Sequence, residues 1–287
     1  MGIPKPPTRT NQRANPPLPA SAAPKKTFSI AAWTGKGEGT KIGIYAESGM
    51  GKTTLCTMLP KPVFIGLDDG GRLTRNPKTG EPIQAVQGIS TFQDVRDALQ
   101  ALQNVESFPD VETVVIDTVT VLQDLAVPHI LETIPSEKGA KMPNIVKYGY
   151  NKGYQHLYDT MKLILQDCDG LIRLGKNVVF IAQAGPHKVS NPSGDDFLRS
   201  GPRLYSGTPS VESLYCEWLD YILLIDYNTK AVEGHKVVSD NVRVVHTVGQ
   251  VHFRAKRRTD QDIPAVVSFE TPDDDSIWAF VFDRVQC

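Results

Sequence analysis

From Phe28 onward, short and continuously apolar runs alternate with longer stretches of helical period, the pattern of an α/β domain. The candidate strands are residues 41–45, 63–67, 113–116, 178–182 and 219–225. Most lack polar alternation, as expected for parallel strands covered on both faces. Thr91 with Asp94 three residues on has capping-box spacing. Phe92, Val95, Leu99, Leu102 and Val105 then fall close to one helical face. The clearest helix is predicted over about 150–174, where Tyr154, Leu157, Tyr158, Met161, Ile164, Leu165, Cys168, Leu171 and Ile172 recur at helical steps, and Gly175 supplies the stop. After Tyr227 the texture changes to hairpins, with strands expected at 237–238, 242–248, 251–255, 266–270 and 278–282. These are read as an antiparallel extension of the same sheet, not a second domain.

Composition narrows the class. A chain of 287 residues, 40% hydrophobic and 22% charged, can bury roughly three-quarters of its unfolded surface. No apolar run approaches the roughly 20 residues of a membrane span, and the first residues lack the apolar core of a signal peptide. Four scattered cysteines, Cys56, Cys168, Cys216 and Cys287, form no metal-like pair and suit a reducing compartment. A soluble cytoplasmic protein is therefore expected, with no membrane partner. The net charge of −1 hides an asymmetry, because residues 1–26 carry five basic side chains and no acid. A uniformly basic nucleic-acid binder is disfavoured, while local basic patches remain open. Seven of the 21 prolines fall within the first 24 residues, so 1–26 is read as a disordered basic arm. Residues 27–287 then form one domain, with a core at about 40–227 and the antiparallel extension at about 228–287.

The most informative string is Ala46-Glu47-Ser48-Gly49-Met50-Gly51-Lys52-Thr53-Thr54, between a strand and a short helical stretch. Gly49 and Gly51 let the backbone curl so that successive amides face phosphate oxygens, Lys52 can bridge the β- and γ-phosphates, and the Thr53 hydroxyl can ligate Mg²⁺. The pattern departs from G-x-x-x-x-G-K-[ST] at its first position, where Ala46 stands. A methyl group there is tolerated if the residue is not left-handed. A P-loop needs a second carboxylate for the metal, and the strand ending Val114-Val115-Ile116-Asp117 delivers one. ATP and Mg²⁺ are thus the expected ligands. The run Gly66-Leu67-Asp68-Asp69-Gly70-Gly71 ends another strand. An acid there can orient and deprotonate an attacking water, with Asp68 the first choice and Asp69 the second. The same letters also read as a plain turn. Gln183 ends the strand at 178–182, where its amide can reach a γ-phosphate and report it to the following segment, or merely end the strand. Residues 184–210, with Lys188, Arg199 and Arg203, are expected to be a long polar loop.

The order of P-loop, strand-end acid, strand-Asp, long helix, strand-Gln and loop resembles the RecA-like ATPase core. The wording Glu-Ser-Gly-Met-Gly-Lys-Thr, Phe-Ile-Gly-Leu-Asp-Asp-Gly-Gly and Val-Val-Ile-Asp-Thr-Val-Thr is similar to phage-encoded RecA-like nucleotide-binding proteins, some of which act in single-strand annealing or recombination. That resemblance spans about residues 40–270. It implies a mostly parallel sheet with helices on both faces, a hydrolase of ATP, self-assembly as a homo-oligomer or filament, and partners among phage recombination or single-strand-binding proteins in the host cytoplasm. It also implies two single-stranded DNA loops. The first would be 134–153, where Lys138, Lys141, Lys147 and Lys152 interleave with Tyr148 and Tyr150. Ammonium groups neutralise phosphates and rings stack on bases. The second would be the 184–210 loop with its three cations. Lys256 and Arg258, alternate residues of a basic stretch, would reach a neighbouring subunit's γ-phosphate as a finger in trans. Read without the resemblance, they form an exposed basic edge.

Two other readings stay open: a nucleotide-gated regulatory or scaffolding ATPase with no DNA role, and a small-molecule kinase whose lid is the 184–210 segment.

Overall fold

The computed structural model describes residues 2, 29–30, 35–232, 236–259 and 262–282. The chain divides into two units, Met1–Thr34 and Gly35–Cys287, and every element below belongs to the second. The expected arm at 1–26 lies outside the described residues apart from Gly2. The chain begins with β1 (Lys41–Ala46), α1 (Lys52–Cys56), β2 (Pro62–Gly66), α2 (Phe92–Ala101), β3 (Thr113–Asp117) and α3 (Val119–Thr133). It continues through α4 (Lys152–Arg173), β4 (Asn177–Val189), β5 (Phe197–Pro202), α5 (Val211–Trp218) and β6 (Tyr221–Val232). It closes with β7 (Lys236–His246), β8 (Lys256–Arg257), β9 (Val266–Phe269) and α6 (Ser276–Phe282).

One sheet runs in the order β2-β3-β4-β1-β6-β7-β9, with β5 paired to β4 and β8 to β6. The five strands from β2 to β6 are mutually parallel, and β7 and β9 add on antiparallel. This is the α/β class expected above: a mostly parallel sheet, helices on both faces and antiparallel strands on the C-terminal side. Buried side chains make two cores. One joins the sheet to α2, α3, α4 and α5, and the other joins its opposite face to α1 and α6. The parallel register aligns strand ends, pairing Ala46 with Gln183 and Asp117 with Ile181. The chemistry-bearing residues of β1, β3 and β4 thus emerge along one edge. Among the described residues no helix is long and apolar enough to cross a membrane.

Local signals explain most boundaries. Thr91 and Asp94 exchange bonds as a capping box at the start of α2, and Thr118 caps α3 by accepting from the Val121 amide. Four expectations are corrected. Residues 278–282 are helical, not a strand: a short apolar run carries no decisive period, and Ile277, Trp278 and Val281 bury together only on a helix. The Asp274 carboxylate accepts from the Ser276 amide at its start. Residues 184–210 are not one long loop, because β4 runs past Gln183 and pairs with β5 from Ala184↔Pro202 to Val189↔Phe197. Residues 251–255 make a single bridge through Phe253 to Ser200 instead of a strand. The segments expected as strands at 237–238 and 242–248 are one strand, β7, which takes up a register shift opposite Tyr227 and Thr229. Helix α3, with Pro128 inside it, was not among the expected elements; it is mostly apolar, with Asp124, Pro128 and Glu132 on its exposed side.

Trp278 is buried and its indole N–H donates to the Leu55 carbonyl of α1 at 3.0 Å. Trp278→Ala should therefore destabilise the fold by roughly 3–5 kcal/mol, read from equilibrium urea denaturation. A loss well under 1 kcal/mol would show that α6 does not hold α1 in place.

Candidate functional site

The loop between β1 and α1 sits where the central strand ends, flanked by β4 on one side and β6 on the other. Gly49 and Gly51 have φ of 81° and 88°, a left-handed backbone that side chains strain. Ala46 is still in β1, paired with Gln183, so the departure from the usual glycine falls on ordinary strand backbone. Met50 turns its side chain into the core beside α1 and pins the loop from below.

Lys52 is 6% exposed. Its ammonium donates to the carbonyls of Ala46 at 2.9 Å and Glu47 at 2.8 Å and to Gln183 Oε1 at 3.4 Å. Burial lowers its pKa, against the opposing pull of Asp117 and Asp68. Asp117, 5% exposed, accepts a 2.7 Å bond from the Thr53 hydroxyl. Burial raises its pKa; the Thr53 bond and Lys52 act the other way, and the charge of Asp68 adds to the rise. The donor set fits Mg²⁺, which takes one or two carboxylates and obtains its remaining ligands from phosphates and water. Among the described residues no group of three or more His, Cys, Asp or Glu could hold a metal ion, so a cation at Thr53 and Asp117 would need the phosphates to complete its shell.

Asp68 follows β2 and caps a one-turn 3-10 helix (Asp69–Gly71), its Oδ1 accepting from the Gly70 amide at 2.9 Å. Both Asp68 and Asp69 are exposed, but only the charge of Asp68 bears on both Lys52 and Asp117, and Asp69 lies in the turn itself. Gln183 is held from both backbone sides: its N–H donates to Thr120 Oγ1 at 3.1 Å, and its carbonyl accepts from the Arg203 amide at 2.7 Å. The Tyr45 hydroxyl, at the end of β1, donates to the carbonyls of Ser200 and Arg254 at 3.2 and 2.5 Å.

This arrangement has counterparts. Residues 38–259 match the AAA domain family. The chain belongs to that family. An AAA domain is a P-loop nucleotide-binding domain, and the loop at Gly49–Thr54 falls within the matched residues. Solved structures similar to this AAA domain include a RadB recombinase, at 13% identity, covering 83% of this chain and 90% of that one with a TM-score of 0.44. Another is a KaiC-like protein from the hyperthermophilic archaeon Pyrococcus horikoshii OT3, also at 13% identity and a TM-score of 0.44, covering 82% and 88%. No curated protein matches the chain.

Other residues singled out from the sequence of this AAA domain lie away from the loop. Lys256 donates to the carbonyls of Cys216 at 2.6 Å and Glu217 at 3.5 Å, and Arg258 donates to Glu217 at 2.8 Å and pairs with Asp220 at 3.6 Å. Both cations thus meet the carbonyl end of α5, where the helix dipole favours positive charge. In the 134–153 segment, Tyr148 is half-buried: its hydroxyl donates to the carbonyls of Ile130 and Ile134, and its ring meets His156 edge-on. Lys152 is paired with Glu137. Lys141 and Lys147 are exposed and Tyr150 is 99% exposed. On the hairpin, Lys188 pairs with Asp196 at 2.8 Å, Arg199 donates to the Val251 carbonyl at 3.0 Å, and the Arg203 side chain packs against Gly185. Sequence reasoning missed Arg243. It approaches the P-loop from β7, with Nη1 3.5 Å from the Met50 carbonyl, and 193 positions of separation leave no local signal.

Because Asp117 holds its proton more tightly folded than unfolded, its ionised form opposes folding at neutral pH. The penalty fades as pH falls toward the ordinary carboxylate value. Asp117→Asn, which keeps an acceptor for Thr53, should therefore raise the melting temperature of the nucleotide-free chain at pH 7, and the gain should shrink near pH 4. An equal or lower melting temperature at pH 7 would contradict the assigned burial penalty.

Proposed function

We propose that this chain is a Mg²⁺-dependent ATPase of RecA-like type that uses its nucleotide state to control binding of single-stranded DNA and assembles with copies of itself. The observation that carries the reading is the meeting of Lys52, Thr53, Asp117 and Gln183 at one sheet edge. Thr53 and Asp117 would hold Mg²⁺, which neutralises phosphate charge when bound. Lys52 exchanges two backbone carbonyls for phosphate oxygens. Its ammonium is already desolvated, so that attraction acts in a site of low dielectric. Asp68, anchored by the Gly70 amide, orients the attacking water and accepts its proton. An Asp carboxylate ends one methylene earlier than a Glu, so a slow turnover is expected. Gln183 carries the presence of a γ-phosphate into the β4–β5 hairpin.

The DNA part rests on exposed Tyr150, with Lys141 and Lys147 in the same segment, the combination of ring and cation that suits a single strand. Tyr148 and Lys152 serve this reading less, since both are engaged within the chain. The kinase alternative has weaker support, because the segment it would use as a mobile lid is the paired β4–β5 hairpin. A role for Lys256 and Arg258 in trans would require them to leave the end of α5.

Lys52→Ala should remove measurable ATP affinity in calorimetry; unchanged affinity would sink the assignment. Single-stranded DNA should stimulate ATP hydrolysis, with the stimulation falling as salt rises. Tyr150→Ala should weaken that stimulation by roughly fivefold or more while leaving DNA-free turnover intact. If stimulation is absent at every salt concentration, the chain is a nucleotide-gated ATPase without a DNA role.

A further inference from the structure

A cavity of about 440 Å³ opens where α3 ends and α4 begins, a volume that suits one small ligand. Its lining includes no residue of the P-loop or of the β4–β5 hairpin. Nor does it include Lys141, Lys147 or Tyr150, on which the DNA reading rests. Its walls are set by backbone packing. Gly153 lets the 3-10 turn Ile145–Tyr148 rest on the first turn of α4, because a Cβ there would collide with the Ile145 carbonyl. The same turn brings Tyr148 to the cavity, with its hydroxyl already engaged by the carbonyls of Ile130 and Ile134 at the end of α3.

The lining divides into two kinds of chemistry. Ile134, Pro135, Met142 and Tyr148 supply apolar surface, and with its hydroxyl engaged Tyr148 offers little besides its ring. An apolar body is favoured against such a wall, whereas a polar one would lose water without gaining a partner. The charged part is cationic in balance, since Lys138 and Lys152 share the lining with one carboxylate, that of Glu137. Lys152 and Glu137 are paired with 47% and 81% of their side chains exposed. An ion pair so open to water contributes little, so one carboxylate on Lys152 can be exchanged for another at small cost. Glu137 thus marks where a carboxylate sits, and Lys152 holds its carboxyl below the usual carboxylate range. His156, its ring edge-on to Tyr148 at 5.0 Å between centroids, adds an imidazole that can donate to the same anion.

We propose that this cavity binds a small organic acid, with its carboxylate on Lys152 in place of Glu137 and its apolar body against Ile134, Met142 and Tyr148. The site goes beyond the nucleotide reading and does not depend on it. Calorimetry on the full chain tests it with phenylbutyrate, beside acetate, which lacks the apolar body, and phenylbutyramide, which lacks the charge. Phenylbutyrate should bind about tenfold or more tightly than either. Lys152→Gln should weaken that binding by about fivefold. Glu137→Gln removes the internal competitor and should strengthen it by roughly two- to fivefold, an opposite sign that a damaged fold would not produce. A thymidine decanucleotide should leave the acid bound. The proposal is overturned if the parent does not bind phenylbutyrate, if the amide binds as well as the acid, or if Glu137→Gln weakens binding. Displacement of the acid by the oligonucleotide would overturn it too, and would make the cavity part of a DNA path.

Discussion

The 2.7 Å bond from Thr53 to Asp117 joins the first turn of α1 to the end of β3, across the intervening strand β4. It forms only if three strands end in step, and the parallel register supplies that condition. The bond also keeps a buried carboxylate from standing unpartnered in a low-dielectric edge, where an unpaired charge is costly. Lys52 meets the same constraint by folding back on two carbonyls of its own loop. Both charges thus have partners within the chain but little contact with water. Burial pushes the lysine down and the aspartate up.

What surrounds this centre differs on its two sides. On the β3–β4 side lie carboxylates and the amide of Gln183, groups suited to a metal, a water and a terminal phosphate. On the β6–β7 side lie an arginine, an aromatic ring and a proline. The antiparallel strands that seem an appendage to the parallel core thus bring Arg243 and Phe269 to the loop. β7 and β9 pair through Arg243↔Phe269, so the guanidinium and the ring come from directly opposed positions.

The parallel strands were legible because each is a bounded apolar run, and the P-loop because its glycines, lysine and threonine have few other uses in that order. The capping box at Thr91 marked a helix start through bonds local to four residues. The misread elements lacked a local cause. Residues 278–282 are too few to separate a period of two from one of 3.6, and the partner that decides, Leu55 with the rest of α1, is remote in sequence. The β4–β5 hairpin is polar and half-exposed, so its alternation is weak. Tyr148 looked like an exposed ring among lysines, yet its hydroxyl finds carbonyls at the end of α3, an element not among those expected from the sequence. Arg243 could not be found at all without the sheet order.

Strand β4 does not stop at the site. It carries Gln183 mid-strand and extends six residues beyond it, to Val189, before turning into β5. At about 3.3 Å per residue that overhang is a lever of roughly 20 Å. A pivot of about 10° at the glutamine would then sweep the hairpin's far end through about 3 Å, an amplification set by strand length alone. The fulcrum is held by its pairing with Ala46, a threonine hydroxyl and the Arg203 amide, and the hairpin beyond it is tied back to Tyr45 and Phe253 through Ser200.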